Sequence, residues 1–96
     1  MLSRLTLNDS VSVPDSVLSR ELDGETVVLN LESGVYFGLD PVATDMWNEI
    51  RERASLRAAL DALLASYDGD ASEIESDFLA LADTLVAKGL IIRRPS

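Results

Sequence analysis

The sequence predicts a small α+β domain in which a three-stranded antiparallel sheet is followed by three helices. Three observations lead to this prediction. Two short apolar runs are joined by Asp23-Gly24, a third follows Ser33-Gly34, and the chain beyond residue 40 has the apolar spacing of helices. Strands that precede helices in a chain of 96 residues are typical of the α+β class, with one modest core.

The N-terminal part of the chain, residues 1–15, is polar and irregular, with short alternating stretches of apolar residues. An extended arm and a short edge strand fit it equally well. The folded domain itself is expected to span residues 16–92.

The predicted sheet is a meander with two tight turns. Its first strand is Val17 to Leu22, and Asp23-Gly24 is expected to form a two-residue hairpin, because glycine adopts the positive φ of a primed turn. The second strand runs from Glu25 to Leu31. Ser33-Gly34 then leads into the third strand, Val35 to Leu39.

Polar residues at suitable positions predict the starts of the first two helices. Asp40 is a good N-cap, and Pro41 suits the first helical position, where its missing N–H costs nothing. Ser55 is expected to cap the second helix. The apolar residues expected inward are Ala43, Met46, Trp47 and Ile50 on the first helix and Leu56, Leu60, Leu63, Leu64 and Tyr67 on the second.

The third helix is expected to start at Ser72, because Ser72 to Glu75 has the form of a capping box. It should end at Lys88, with Gly89 beyond it. Leu90 to Ile92 is interpreted as an apolar tail or short strand on the core. Arg93-Arg94 is interpreted as a frayed, solubilising end.

The composition excludes several kinds of chemistry. The chain has no cysteine and no histidine, so it lacks thiolate ligands, the commonest metal ligand and the usual general base. Acid pairs such as Asp68/Asp70 and Glu73/Asp77 lie near a helix start, where carboxylates stabilise the helix dipole. We therefore expect no enzyme activity, no metal and no cofactor.

The net charge of −9 argues against nucleic acid, because DNA-binding proteins gain affinity by neutralising phosphates. A winged-helix nucleic-acid-binding domain, or another protein-interaction domain, stays the alternative function. No signal peptide and no apolar segment long enough to span a bilayer is found, so we expect a cytoplasmic protein with no membrane partner.

The third strand is flanked by a turn and a helix cap, which leaves little to cover its outer edge. An open strand edge can accept an added peptide strand. It can also pair with a second copy, so a monomer and a weak homodimer are both compatible with the sequence. Gly38 marks either close approach of another backbone or a bulge before Asp40.

The order and spacing of these features resemble the PqqD-like family, whose members are called RiPP recognition elements. The matching segments are Ser19 to Glu25, Val28 to Gly34, Tyr36-Phe37-Gly38-Leu39, Trp47 and, more loosely, Phe78 to Ala82 with Leu85 and Lys88-Gly89-Leu90. The resemblance covers roughly residues 13–92, nearly the whole chain. Each motif by itself is a generic strand, turn or cap.

The resemblance implies a winged helix-turn-helix-like fold that binds the leader segment of a ribosomally made precursor peptide. The leader would lie antiparallel to the third strand, in the cleft beside the third helix. The residues mapped onto this site are Val35, Tyr36, Phe37, Gly38 and Leu39 on the strand and Asp77, Phe78, Leu81, Ala82 and Leu85 on the helix. Glu75 and Asp77 are expected to form an acidic lip that either favours a leader carrying Lys or Arg or caps backbone amides.

Among family members, the sequence is most similar to the stand-alone leader-binding proteins of lasso-peptide biosynthesis. That similarity implies a separate leader peptidase, or another maturation enzyme, as the protein partner. Within the third strand, apolarity favours Val35, Phe37 and Leu39 facing the core and Tyr36 facing the other side.

Overall fold

The computed structural model describes residues 5–94, and its elements follow the predicted order. They are β1 (Ser10–Ser12), β2 (Val17–Leu22), β3 (Glu25–Asn30), β4 (Tyr36–Leu39), α1 (Pro41–Arg53), α2 (Leu56–Ser66), α3 (Ala71–Ala87) and β5 (Ile92–Arg94). One antiparallel sheet has the order β2-β3-β4, and β1 pairs with β5 in a second, two-stranded sheet. The predicted α+β class is confirmed, with β4 as the third strand of the predicted meander.

The N-terminal segment joins the core. Residues 1–4 of the expected arm lie outside the described range. Leu5 and Val11 are buried, and the backbone N–H of Leu5 donates to the carboxylate of Asp83 on α3 at 3.1 Å. Of the two possibilities for residues 1–15, a short strand is present at β1.

The turn between β2 and β3 has the predicted geometry. Asp23 and Gly24 have φ values of 56° and 81°, and both positive values belong to a type I′ turn. The register then runs without interruption from Leu22 opposite Glu25 to Val17 opposite Asn30. The alternating faces of the sheet are fixed by this turn.

The first two helix caps are confirmed, and the third is not. The side chains of Asp40 and Ser55 accept hydrogen bonds from the N–H groups of Ala43 and Ala58, at 2.8 and 3.3 Å. The predicted cap at Ser72 is wrong because α3 begins at Ala71, after Asp70. The Asp70 carboxylate accepts from both the hydroxyl and the N–H of Ser72, and these bonds hold the pKa of Asp70 below its usual value.

The C-terminal segment is more ordered than the sequence indicated. Leu90 and Ile91 are fully buried, as expected for an apolar tail. The prediction of a frayed end at Arg93-Arg94 is wrong, because both residues belong to β5 and Arg93 lies 3.3 Å from Asp9. The strand forms because β1, far away in the sequence, provides a partner.

The core lies between the inner face of the β2-β3-β4 sheet and the three helices. Trp47, on α1, is 1% exposed and belongs to this core, the more frequent environment for a lone tryptophan on an apolar helix face. Other large buried side chains include Val28, Leu39, Met46, Ile50, Leu56, Leu60, Leu63, Phe78, Leu85, Leu90 and Ile91. No helix within residues 5–94 has the length and hydropathy of a membrane span.

Asn30, a buried polar residue at the end of β3, connects three parts of the chain. Its Nδ2 donates to the carbonyl of Gly89, which follows α3, at 3.0 Å. Its Oδ1 accepts from the N–H groups of Glu32 and Ser33 in the turn before β4, at 2.9 and 3.3 Å. One side chain therefore fixes both the β3–β4 turn and the end of α3.

β4 has a partner strand on one side only among the described residues. The N–H of Asn30 donates to the carbonyl of Val35 at 2.8 Å, which sets the phase of hydrogen bonding between β3 and β4. Hydrogen-bonded and non-bonded pairs alternate in an antiparallel ladder. Phe37 and Leu39 therefore bond to β3, whereas the N–H and C=O groups of Tyr36 and Gly38 point to the free edge.

Replacing Asn30 with alanine should lower the free energy of unfolding by about 2 kcal/mol, because the partly buried carbonyl of Gly89 and two turn N–H groups lose their partner. Urea denaturation measures this change. Asn8→Ala, at an exposed asparagine, is the matched control and should change the free energy by less than about 0.5 kcal/mol. Equal effects of the two substitutions would contradict the connecting role of Asn30.

The free edge predicts an alternating pattern of hydrogen exchange along β4. After correction for intrinsic rates, the amides of Tyr36 and Gly38 should exchange at least about tenfold faster than those of Phe37 and Leu39. Exchange followed by NMR on the labelled protein measures each amide separately. Equal protection of all four amides would mean that the edge is covered in solution.

Candidate functional site

The side chains of β4 divide between the two faces of the sheet. Leu39 is buried and Phe37 is half-buried against the core, whereas Tyr36 is 69% exposed on the outer face. Val35, which the sequence placed in the strand, immediately precedes β4 and is also half-buried. This division matches the one expected from apolarity.

The inner side of β4 meets the C-terminal end of α3. The ammonium group of Lys88 lies 5.1 Å from the centre of the Phe37 ring, a cation–π contact. Thr84, Leu81 and Asp77 lie at i−4, i−7 and i−11 from Lys88, spacings that place all four residues on one side of the helix. We call these four residues the α3 stripe. The free edge of β4 and the α3 stripe together are called the β4–α3 surface.

The β4–α3 surface contains only some of the helix residues that the resemblance implied. Asp77 is exposed and Leu81 is half-buried, so both are accessible on the α3 stripe. Phe78, Ala82 and Leu85 have no exposed surface, and their side chains lie in the core behind the stripe.

Glu75 does not lie beside Asp77 on the α3 stripe. It is at i−13 from Lys88, which places it on another side of α3. The two carboxylates therefore do not form a continuous lip facing β4 in this structure.

Lys88 and Asn30 are the residues of this region that sequence reasoning did not select. The sequence predicts Lys88 as the end of the third helix and includes it in a family-like segment, but its spacing from Leu81 and Asp77 also places it on their side of the helix. Asn30 shares the inner face of β3 with buried Val28 and Thr26. The signal available in the sequence was the alternation of Asn30 with Val28, which places a polar side chain on the face that packs on the core.

The charges of α3 are poorly suited to contacting phosphates. The acidic residues on α3 are Glu73, Glu75, Asp77 and Asp83, and Lys88 follows the helix. A recognition helix in a winged-helix DNA-binding protein needs the opposite balance. Within residues 5–94, no three Asp or Glu residues are grouped as a metal site would require.

Comparisons with known proteins agree on one family. The family described as Coenzyme PQQ synthesis protein D (PqqD) matches residues 25–91, well over half of the chain. The solved structure "TbiB1 in Complex with the TbiA(beta) Leader Peptide" is similar, with a TM-score of 0.75 and 34% sequence identity, over 83% of this chain and 93% of that chain. No curated protein sequence matches significantly.

A second solved structure, "Lasso peptide synthetase B1 complexed with the leader peptide", has a TM-score of 0.71 and 21% identity. The match covers 90% of this chain and 99% of that chain, and at this identity it shows the fold alone. The extent of the family match and the identity with TbiB1 go further than a common fold. The chain therefore belongs to the PqqD family of RiPP recognition elements, which are binding modules and not catalysts.

Proposed function

We propose that this protein binds the leader segment of a ribosomally synthesised precursor peptide by strand addition to β4 and delivers it to a maturation enzyme. The observation that carries the proposal is the free edge of β4 beside the α3 stripe. The enzyme partner proposed is a separate leader peptidase of lasso-peptide biosynthesis.

The backbone of β4 supports this mode of binding. Tyr36 and Gly38 each direct an N–H and a C=O to the free edge, where an antiparallel peptide can bond to them. These bonds need no particular side chain in the peptide. The backbone would therefore contribute affinity, and sequence selectivity has to come from the two faces of the sheet.

On the inner face, peptide side chains would enter the space between β4 and α3. The half-buried Phe37 and Leu81 offer apolar surface there, and Lys88 and Asp77 offer one charge of each sign. Such a space suits leucine-like or aromatic side chains. Phe78 and Leu85 would support its floor from within the core.

The similarity to TbiB1 supports the class of ligand. That protein was solved in complex with a leader peptide, and the two chains match over nearly the whole of its length. The lasso peptide synthetase B1 structure, also complexed with a leader peptide, has the same fold. The name of this second structure supports lasso-peptide biosynthesis as the pathway proposed for this protein.

Leu81→Glu should weaken binding of a leader peptide at least about tenfold, because it places a charge on the apolar part of the α3 stripe. Fluorescence anisotropy with the labelled leader of the precursor gene beside this gene measures the affinity. Leu81→Ala is a milder variant should the charge impair folding.

Val86→Glu is the matched control, since Val86 lies on the same helix at i−2 from Lys88 and is exposed. Its affinity should stay within about twofold of the wild type. Equal losses for Leu81→Glu and Val86→Glu, in proteins folded by circular dichroism, would argue against the β4–α3 surface as the site.

Delivery to a peptidase is tested separately. In a reconstituted reaction, the leader peptidase encoded nearby should cleave the precursor faster when this protein is present, because binding raises the effective concentration of the leader. Leu81→Glu should remove the acceleration and Val86→Glu should keep it. Cleavage that is independent of this protein would exclude the proposed delivery.

A further inference from the structure

The β2-β3-β4 sheet has a second free edge, at β2. Among the described residues β2 pairs with β3 alone, and its register runs without a bulge over six residues, from Val17 opposite Asn30 to Leu22 opposite Glu25. The strand also contains no proline. Bulges and prolines block many strand edges, and an edge that lacks both can accept a further strand.

The phase of the β2–β3 ladder fixes which backbone groups point to this edge. The N–H of Leu31 donates to the carbonyl of Ser16 at 2.8 Å, so the even-numbered residues of β2 bond to β3. The N–H and C=O groups of Ser19 and Glu21 therefore point away from β3. No hydrogen bond within residues 5–94 uses these four groups, which leaves them available to another chain.

On the inner side of this edge, β2 faces α1 across a surface hollow of about 550 Å³. The lining of the hollow is polar and consists of Glu21, Asn48, Arg51 and Glu52. The side-chain amide of Asn48 donates to the Glu21 carboxylate at 3.3 Å, which links α1 to the strand. We call the free edge of β2 and this hollow the β2–α1 groove. Inward side chains of an added strand would meet polar groups there.

On the outer face, the same edge is apolar with one cation. Leu18 and Leu22 are 54% and 74% exposed, and the exposed Arg20 lies between them. Arg20 has no ion pair within residues 5–94, and the residue opposite it on β3 is Val27. An antiparallel strand added to β2 would form non-bonded pairs with Leu18, Arg20 and Leu22. In such pairs the side chains of the two strands approach most closely.

We propose that the β2–α1 groove binds an extended segment of a partner protein, which adds antiparallel to β2. The segment has an acidic residue opposite Arg20, apolar residues opposite Leu18 and Leu22, and polar residues between them that face the hollow. The groove lies about 10 Å across the sheet from β4, because two strand spacings separate the edges. It is therefore separate from the proposed leader site and does not depend on it.

A second copy of this chain fits the edge less well than a separate partner. The outer-face residues of β2 are Leu18, Arg20 and Leu22, so a second β2 strand supplies no carboxylate opposite Arg20. The net charge of −9 on each copy also opposes self-association. A different protein that carries the complementary alternation meets neither obstacle to the same degree.

Arg20→Glu tests the pairing by charge reversal, because it leaves the backbone of the edge unchanged. The variant should prefer a basic residue where the wild type prefers an acidic one. Arg57→Glu is the matched control, since Arg57 is an exposed arginine on α2 and its replacement changes the net charge equally. Ser19→Pro removes an N–H that points to the free edge and does not bond to β3, so it should abolish strand addition at β2.

The probe is a displayed library of random short peptides, selected in parallel on the wild-type protein and on the variants. Wild type and Arg57→Glu should enrich peptides in which an acidic residue lies two positions from an apolar residue on either side. Arg20→Glu should enrich a basic residue at the central position, and Ser19→Pro should lose the pattern. Single acidic peptides titrated by anisotropy should bind Arg20→Glu at least about fivefold more weakly than the wild type.

Three results would overturn the proposal. They are the absence of this pattern on the wild type, an acidic preference that persists in Arg20→Glu, and an equal loss in Arg57→Glu. Sedimentation that shows a dimer of the wild type, dissociated by Ser19→Pro, would assign the edge to a second copy instead. Should Ser19→Pro fail to fold, the charge reversal alone decides.

Two further measurements separate this groove from the leader site. Peptides of the acidic pattern should still be enriched on Leu81→Glu, and their loss there would assign them to the β4–α3 surface. Conversely, the affinity of Arg20→Glu for the leader peptide should stay within about twofold of the wild type. Failure of either site would therefore leave the other standing.

Discussion

The hydrogen bonds of Asn30 are the constraint on which the candidate site depends. The edge strand β4 and the helix α3 belong to different parts of the chain, and each is held by this one buried side chain. Asn30 bonds to the turn that precedes β4 and to the carbonyl of Gly89 that follows α3. The cation–π contact between Lys88 and Phe37 is a second link between the end of α3 and β4. An amide suits the position because it offers a donor and an acceptor together, and a leucine would leave three backbone groups without a partner.

The sheet uses its two faces in an unusual way. The inner face of β3 contains Thr26 and Asn30 beside Val28, whereas the outer face contains Val27 and Leu29. Asn30 is satisfied by its hydrogen bonds, and the hydroxyl of Thr26 has no partner within residues 5–94. Apolar residues that the core does not use are consistent with an outer face that makes contacts of its own. The free edge of β4 thus lies between an inner face that packs on the core and an outer face that is exposed.

An open strand edge carries a risk of pairing with the wrong chain, and two features of this protein reduce that risk. β4 is only four residues long and is bounded by a turn and by the Asp40 cap, so few edge groups are available to an unselected partner. The net charge of −9 also makes the approach of a second copy unfavourable at low salt. Both features still leave the edge accessible to a short extended peptide, as the proposed strand addition requires.

The sequence by itself determined the features that depend on neighbouring residues. Asp23-Gly24 forms its turn because positive φ is a local property, and Asp40 and Ser55 cap their helices because an acceptor lies within three residues of the N–H group it bonds. The alternation of apolar residues likewise predicted that Phe37 and Leu39 face inward and Tyr36 outward. The start of α3 was missed because two good caps, Asp70 and Ser72, lie close together and the charged one accepts the bonds.

Only the tertiary structure decided the features that join distant segments. The pairing of β1 with β5 brings Val11 opposite Arg93, and no local pattern around either residue specifies that partner. The same holds for the bond from Asn30 to Gly89 and for the position of Lys88 over Phe37. The apolar spacing of α3 marked Phe78, Leu81 and Leu85 alike, because periodicity gives the face of a helix but not what covers it. Packing buried Phe78 and Leu85 in the core and left Leu81 half-buried, on the same side of α3 as Lys88.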